Sequence, residues 1–346
     1  MPKAKVAIVG ATGFTGSELL RFLPSHPNIE IIAVTSESYK GQLTSDVHPF
    51  LSAHIDFPLV SANKIPGLKP DIVFLALPHG VSMDYVEKWH KEPFKIIDLS
   101  GDFRLDKAST YEEWYKKSHH FVEGFKDSAY GLPELHRERI SRSNLIANPG
   151  CYPTVSILSL LPLLAHNNFD QVSDIIIDAK SGVTGAGAKA KELNHYSNVN
   201  ENFRAYGIKT HRHSIEIQQQ LSEVADRTLS IQFTPHLLPV DRGILATCYI
   251  KNPKKITDVK LKSMYSEFYN NEPFVRLREQ IPAIKDVRGT NFCDIHVTSD
   301  DRTGNIIAVG VIDNLIKGAA GQAIQNMNLV LGLEETAGLQ HVALRP

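Results

Sequence analysis

The chain has 346 residues, 42% apolar and 22% charged, with 37 Lys plus Arg against 38 Asp plus Glu. This is the composition of an ordinary globular protein, long enough for two hydrophobic cores. The balanced charge excludes a global field for nucleic acid or an anionic membrane, so an anionic substrate has to be caught locally.

The opening "MPKAKVAIVG" runs directly into a strand-like segment with no apolar leader. The longest apolar stretch, "SILSLLPLLA", is too short to span a bilayer and carries Pro162. A cytoplasmic protein is therefore expected, with neither a membrane nor a nucleic acid as partner.

"KVAIVG" reads as a buried strand, and "ATGFTGSELLRFLPSHP" adds a glycine turn and helical spacing at Leu19, Leu20 and Leu23. "IEIIAVTS", "PDIVFLALPHG" and "FKIIDLSG" are further strands, with a helical "VSMDYVEKWHKE" between the last two, and "RSNLIANPG" ends the series. Strands alternating with helices predict an α/β unit built on a doubly wound parallel sheet of the Rossmann type.

Beyond this point the strands lengthen: "SDIIIDAKSG", "LSIQFTPHLLP", "GILATCYIK", "FCDIHVTSD" and "NIIAVGVIDN". Helical "SIEIQQQLSEVADR" and "ITDVKLKSMYSEFYNNE" lie between them, which predicts an α+β domain with one large sheet and helices on one face. The closing "GAAGQAIQNMNLVLGLEE" is helical and is expected to return to the first domain.

Gly10, Gly13 and Gly16 follow a strand and open a helix, with Thr12, Phe14 and Thr15 between and beside them. Glycines there allow a tight turn and let a pyrophosphate approach the helix N-terminus, so a dinucleotide is expected. NAD enzymes place an acid about 20 residues further on. Here the strand ends with Thr35 and Ser36, and Ser36, Ser38 and Lys40 suit a 2′-phosphate, so NADP is expected although Glu37 lies among them.

Cys151, Cys248 and Cys293 form neither a C-x-x-C pair nor a disulfide framework. Cys248 and Cys293 sit in β-like runs and read as small buried hydrophobes. Cys151, in "ANPGCYPT", sits where a strand gives way to a helix, and helix N-termini favour thiolate. It reads either as a nucleophile, with Asn148 offering an amide donor to an oxyanion, or as a helix-start cysteine fixed by Pro149 and Pro153.

"THRHSIEI" supplies His211 and His213 as candidate acid/base groups, with Arg212 between them and Glu216 three residues on. No third ligand at a recognised spacing accompanies the pair, so no metal is expected, and solvated surface histidines are the alternative. His236 in "FTPHLLP" reads as a core or turn residue. Arg104 follows a strand end, and Arg212 and Arg242 could join it in an anion pocket; each also suits a surface ion pair.

Taken in order, "GATGFTG", "NPGCYPT" and "HRHSIEI" resemble the N-acetyl-γ-glutamyl-phosphate reductases of arginine biosynthesis, relatives of aspartate-semialdehyde dehydrogenase. "LALPHG", "DLSGDFRL", "YGLPEL", "SGVTGAGAKA", "PHLLPVDRGILAT" and "DNLIKGAAGQAIQNMN" extend the match over nearly the whole chain. The resemblance implies an NADP-binding domain of residues 1–148 and 314–346, and a catalytic and oligomerisation domain of residues 149–313.

It further implies that Cys151 is the covalent nucleophile and that the acid/base is one of the two histidines, His213 preferred over His211. Arg104, Asn148, Glu216, Arg212 and Arg242 would bind the acyl-phosphate substrate. Leu77, Pro78, Ser181, Gly182, Gly185, Asn314 and Gln322 would join the glycine loop around NADPH in a homo-oligomer, a dimer or tetramer. A carrier-linked aminoadipyl phosphate reductase of lysine biosynthesis would share these catalytic residues; a non-enzymatic NADP sensor would need only the nucleotide site.

Overall fold

The structure, a computed structural model, describes residues 2–165 and 174–345. The chain divides into two compact units, Met1–Pro149 with Ala319–Gln340, and Gly150–Gly318 with His341–Pro346.

The first unit contains strands β1 (Ala4–Val9), β2 (Ile29–Thr35), β3 (Leu59–Val60), β4 (Ile72–Leu75), β5 (Lys95–Asp98), β6 (Ser128–Tyr130) and β7 (Leu145–Ala147). They pair in parallel in the order β3-β2-β1-β4-β5-β7-β6. Helices α1 (Phe14–Phe22), α2 (Ser82–Trp89), α3 (Ala108–Tyr115) and α4 (Pro133–Arg142) connect them.

Every residue of Val6–Val9 and of β4 is buried, because a parallel sheet is covered on both faces. That is why both strands read as unbroken apolar runs. β2 lies on one side of β1 and β4 on the other, so the connections diverge and leave a crevice at the strand ends. The glycine loop opens there. β3 and β6 are additions to the sequence reading; two or three residues carry no periodic signal.

The second unit is built on β8 (Asp174–Ser181), β9 (Arg204–Ala205), β10 (Ser230–Leu237), β11 (Ile244–Lys251), β12 (Val275–Leu277), β13 (Cys293–Asp300) and β14 (Asn305–Ile312). Their order is β12-β13-β14-β11-β8-β10-β9, with β8 and β10 parallel and β8, β11, β14 and β13 successively antiparallel. Helices α5 (Cys151–Leu164), α6 (His213–Val224) and α7 (Asp258–Phe268) pack against this sheet. Cys248 and Cys293 are buried in it, as expected of structural thiols.

After Cys151, every residue of α5 is buried. Pro162 interrupts its hydrogen bonding, since proline has no N–H to offer the carbonyl four residues back. That carbonyl, on Leu158, instead accepts the hydroxyl of Tyr269, while Tyr265 donates to the Ser159 carbonyl at 2.6 Å.

A π-helical turn, Ile316–Ala320, leads into α8 (Gly321–Val330), which lies in the first unit against α1 and α4. Residues 314–318 and 341–345 lie with the second unit, whereas the resemblance assigns all of 314–346 to the first. Long-range bonds hold the tail there: Leu344 N donates to the Arg288 carbonyl at 2.8 Å, and Arg345 pairs with Asp286 at 3.0 Å. Among the described residues no helix is long and apolar enough to cross a membrane.

Candidate active site

Cys151 is the first residue of α5, capped by Gly150 in an extended conformation. Its side chain therefore starts among the open N–H groups of the first turn, where negative charge is favoured. The residue is half-buried, unlike Cys248 and Cys293. Two glycines make its room. A β-carbon on Gly318 would come within 2.6 Å of the Cys151 β-carbon, and one on Gly150 would meet the His213 Nε2 at 2.4 Å. The buried Glu216 carboxylate accepts the Gly150 N–H at 2.8 Å and so fixes the turn into Cys151.

His213 opens α6, and its main-chain N–H donates to Nδ1 of His211 at 3.2 Å. That bond requires an unprotonated Nδ1, which puts the proton of His211 on Nε2. Burial, reinforced by the neighbouring Arg212, lowers the pKa of His211 to about 4. His211 is thus neutral near pH 7.

The two imidazoles meet edge to face at 4.8 Å. Tyr152 lies 5.6 Å from His211 and 5.9 Å from His213, and Tyr206 and Phe233 each lie 5.5 Å from His211. Tyr206 donates to the Tyr152 hydroxyl at 3.2 Å, which donates to the His236 carbonyl at 3.1 Å. Burial pushes Tyr206 up to about 12 and Tyr152 further still, so both phenols keep their protons.

In the first unit, the buried Arg104 donates from Nε to the Asn148 carbonyl at 2.7 Å and from Nη2 to the Leu99 carbonyl at 2.9 Å. Asn148 is buried as well. Its amide donates to the Ala319 carbonyl at 3.2 Å, and its side-chain oxygen accepts from Asn326 at 3.0 Å. Asp102 holds the loop after β4, accepting from Gly80 N at 2.7 Å, Met83 N at 3.2 Å and the Tyr111 hydroxyl at 2.8 Å. Nearby Asp98 is raised to about 6 by burial and then by Asp102.

The glycine loop fits a dinucleotide by shape. Gly10 has φ +87°, and a β-carbon there would stand 2.5 Å from the Ala76 carbonyl oxygen and 2.9 Å from Leu77. One on Gly16 would meet Gly10 and Ala11 at 2.6 Å. Gly13, the cap of α1, has nothing within 4 Å, which leaves a cradle at the helix N-terminus where a phosphate would sit. The Thr12 and Ser36 hydroxyls stand 3.5 Å apart, joining the loop to the end of β2.

Residues 5–143 match the NAD binding domain of semialdehyde dehydrogenase and residues 151–314 its dimerisation domain. An N-acetyl-gamma-glutamyl-phosphate reductase from Geobacter sp. (strain M21) is 49% identical, with 99% of each chain covered. One of the same name from Pelotomaculum thermopropionicum is 46% identical, again over 99% of both. The chain belongs to the N-acetyl-gamma-glutamyl-phosphate reductase family. Its fold is shared with aspartate semialdehyde dehydrogenase II of Vibrio cholerae, at a TM-score of 0.74 and 17% identity over 96% of this chain and 99% of that one.

Within this reductase family member, the structure gathers Cys151, His211, His213 and Glu216 in the second unit. Arg212 caps α6 between the two histidines, and Arg242 pairs with the buried Asp313 at 3.4 Å. Ser181, Gly182, Gly185 and Asn314 lie in the same unit. Asn314 holds that loop by donating to the Thr184 hydroxyl at 2.9 Å and accepting from Gly243 N at 2.8 Å.

Gly10 to Gly16, Ser36, Ser38, Lys40, Leu77, Pro78, Arg104, Asn148 and Gln322 belong to the first unit. Ser38 and Lys40 are exposed at the end of β2. Gln322 is buried and donates to the Gly131 carbonyl at 3.0 Å. The sequence reading gives no role to Tyr206 or Tyr152, and takes Gly318 only as part of "DNLIKGAAGQAIQNMN". Only the position of Tyr152, next to Cys151, offered a signal.

Proposed function

We propose that the chain reduces N-acetyl-L-glutamyl 5-phosphate to N-acetyl-L-glutamate 5-semialdehyde and phosphate with NADPH, in the cytoplasm and in arginine biosynthesis. The names of its relatives favour this over the two alternatives. The observation that carries the reading is the imidazole of His213 lying against Gly150, one residue before the half-buried Cys151.

The chemistry follows from these groups. His213 takes the thiol proton, and the Cys151 sulfur bonds to the acyl carbon as the bond to phosphate breaks, leaving a thioester. Bound NADPH supplies the hydride that reduces this thioester. His213 returns its proton to the new alkoxide, then removes it as the carbon–sulfur bond breaks and the aldehyde leaves. Cys151 is regenerated as thiolate.

The other residues act through these two. His211, neutral and accepting the main-chain N–H of His213 on Nδ1, fixes the start of α6 rather than transferring a proton. Glu216 holds the turn before the nucleophile. Arg212 and Arg242 are the cations assigned to the substrate's phosphate and its α-carboxylate. Arg104 and Asn148, engaged with main-chain carbonyls, position the strand ends.

The second unit also carries a sheet face for a second copy, consistent with the dimerisation domain matched over residues 151–314. Gln232, Ile176, Tyr249, Ile307 and Thr298 form one row across β10, β8, β11, β14 and β13. None of the five is buried, and Ile176 is 46% exposed.

The reaction is tested by running it backwards, following NADPH formation from the semialdehyde, phosphate and NADP. Cys151→Ser is expected to abolish turnover while retaining NADPH affinity. Activity confined to a longer, carrier-linked aminoadipyl semialdehyde would overturn the assignment, and wild-type turnover by the serine variant would overturn covalent catalysis.

A further inference from the structure

Glu37 lies two residues beyond the end of β2, about where a dinucleotide enzyme specific for NAD keeps the carboxylate that binds the ribose hydroxyls. A free carboxylate at that point would repel a 2′-phosphate. In this chain it is tied elsewhere. Oε1 of Glu37 accepts the Ser61 hydroxyl at 3.0 Å and the Ala62 N–H at 3.0 Å.

Both donors sit just past the end of β3, which pairs in parallel with β2 through Val34 and Leu59 and through Thr35 and Val60. The short turn Ala62–Lys64 thereby receives a carboxylate on its first open amide. Ser36 is held separately: its hydroxyl accepts the Tyr39 N–H at 3.3 Å and stands 3.5 Å from that of Thr12. The hydroxyls of Thr12 and Ser36 therefore line the strand end while the Glu37 carboxylate is engaged with the neighbouring strand's exit.

We propose that the clamp of Glu37 on Ser61 and Ala62 sets the dinucleotide preference of this chain, by withholding a negative charge from the site of the 2′-phosphate. The proposal rests on the reading of NADPH as cofactor and names residues that act on that preference without touching the reacting atoms. It makes Ser61, on a different strand exit, a specificity-determining residue.

Three variants separate charge from clamp. Glu37→Asp keeps the charge on a side chain too short to reach both donors. Ser61→Ala removes one donor and leaves the charge. Glu37→Gln keeps an acceptor oxygen and removes the charge. The readout is calorimetric affinity for 2′,5′-ADP against 5′-AMP, which needs no turnover, together with the NADPH to NADH ratio in kcat/KM.

Wild type is expected to favour 2′,5′-ADP. Glu37→Asp and Ser61→Ala are expected to lose on the order of tenfold for 2′,5′-ADP alone, a loss that shrinks as salt rises. Glu37→Gln is expected to keep the wild-type preference or exceed it. Unchanged preference in both Glu37→Asp and Ser61→Ala would overturn the clamp, as would a loss in Glu37→Gln equal to that in Glu37→Asp. Equal wild-type affinity for the two probes would instead overturn the NADPH reading, and the clamp with it.

Discussion

Nε2 of His213 lies 2.4 Å from where a β-carbon on Gly150 would stand, so the imidazole rests on the chain immediately before Cys151 only because residue 150 is glycine. Gly150→Ala should therefore push the ring away while leaving the backbone conformation allowed, since the φ of −70° and ψ of 155° suit any residue. A displacement near 1 Å in a positioned catalytic group costs about a hundredfold in rate. We expect kcat to fall by about that factor with NADPH affinity unchanged. A variant with wild-type kcat would remove His213 from the chemistry.

His211 makes the second unit sensitive to acid. Its pKa falls from the usual 6.5 to about 4, first through burial and then through Arg212. Between these values the unfolded chain binds the proton and the folded chain does not, so stability is complete above pH 6.5 and declines as pH falls toward 4. The size is about 3 kcal/mol. His211→Gln should flatten this slope in urea unfolding followed across the window, and it should leave the pH dependence of kcat in place, because the proposed mechanism gives the proton to His213. An equally steep slope in the variant would show that His211 is not the group responsible.

Much of this was readable in the sequence, for physical reasons that differ by element. β1 and β4 announced themselves because burial on both faces forces an unbroken apolar run, and Gly10, Gly13 and Gly16 because a strand and a helix flank them. Cys151 stood out because a packing cysteine does not need a joint between prolines. What was hidden depends on distant pairs. Asn148 reads as a free amide until Asn326, 178 residues away, is seen donating to it, and Tyr206 lies against His211 and donates to Tyr152, 54 residues away. Glu37 reads as an obstacle to NADP until Ser61 and Ala62 are found holding it.

The row through Ile176, Tyr249 and Ile307 leads to a prediction about assembly. Tyr249 sits at the centre, paired with Ile176 on one side and Ile307 on the other. If this face meets a second copy, Tyr249→Asp places a charge at its centre, where it stays unpaired on burial and costs several kcal/mol. Analytical ultracentrifugation should show the wild type as a dimer or a multiple of one, and this variant shifted to monomer. A variant sedimenting as wild type would move the interface to another face.

The bond between Tyr269 and Leu158 supports a prediction on stability that tests the role of Pro162. Because Pro162 has no N–H, the Leu158 carbonyl depends on the Tyr269 hydroxyl, and both residues are buried. Tyr269→Phe should cost about 1–3 kcal/mol, the penalty for a buried carbonyl left without a donor. In a Pro162→Ala background the restored N–H can serve the same carbonyl, so the cost of Tyr269→Phe should shrink by about 1 kcal/mol or more. Urea unfolding of the four proteins, followed by a probe in the second unit, measures that coupling. Costs that simply add would show that the hydroxyl does not replace the missing helix bond.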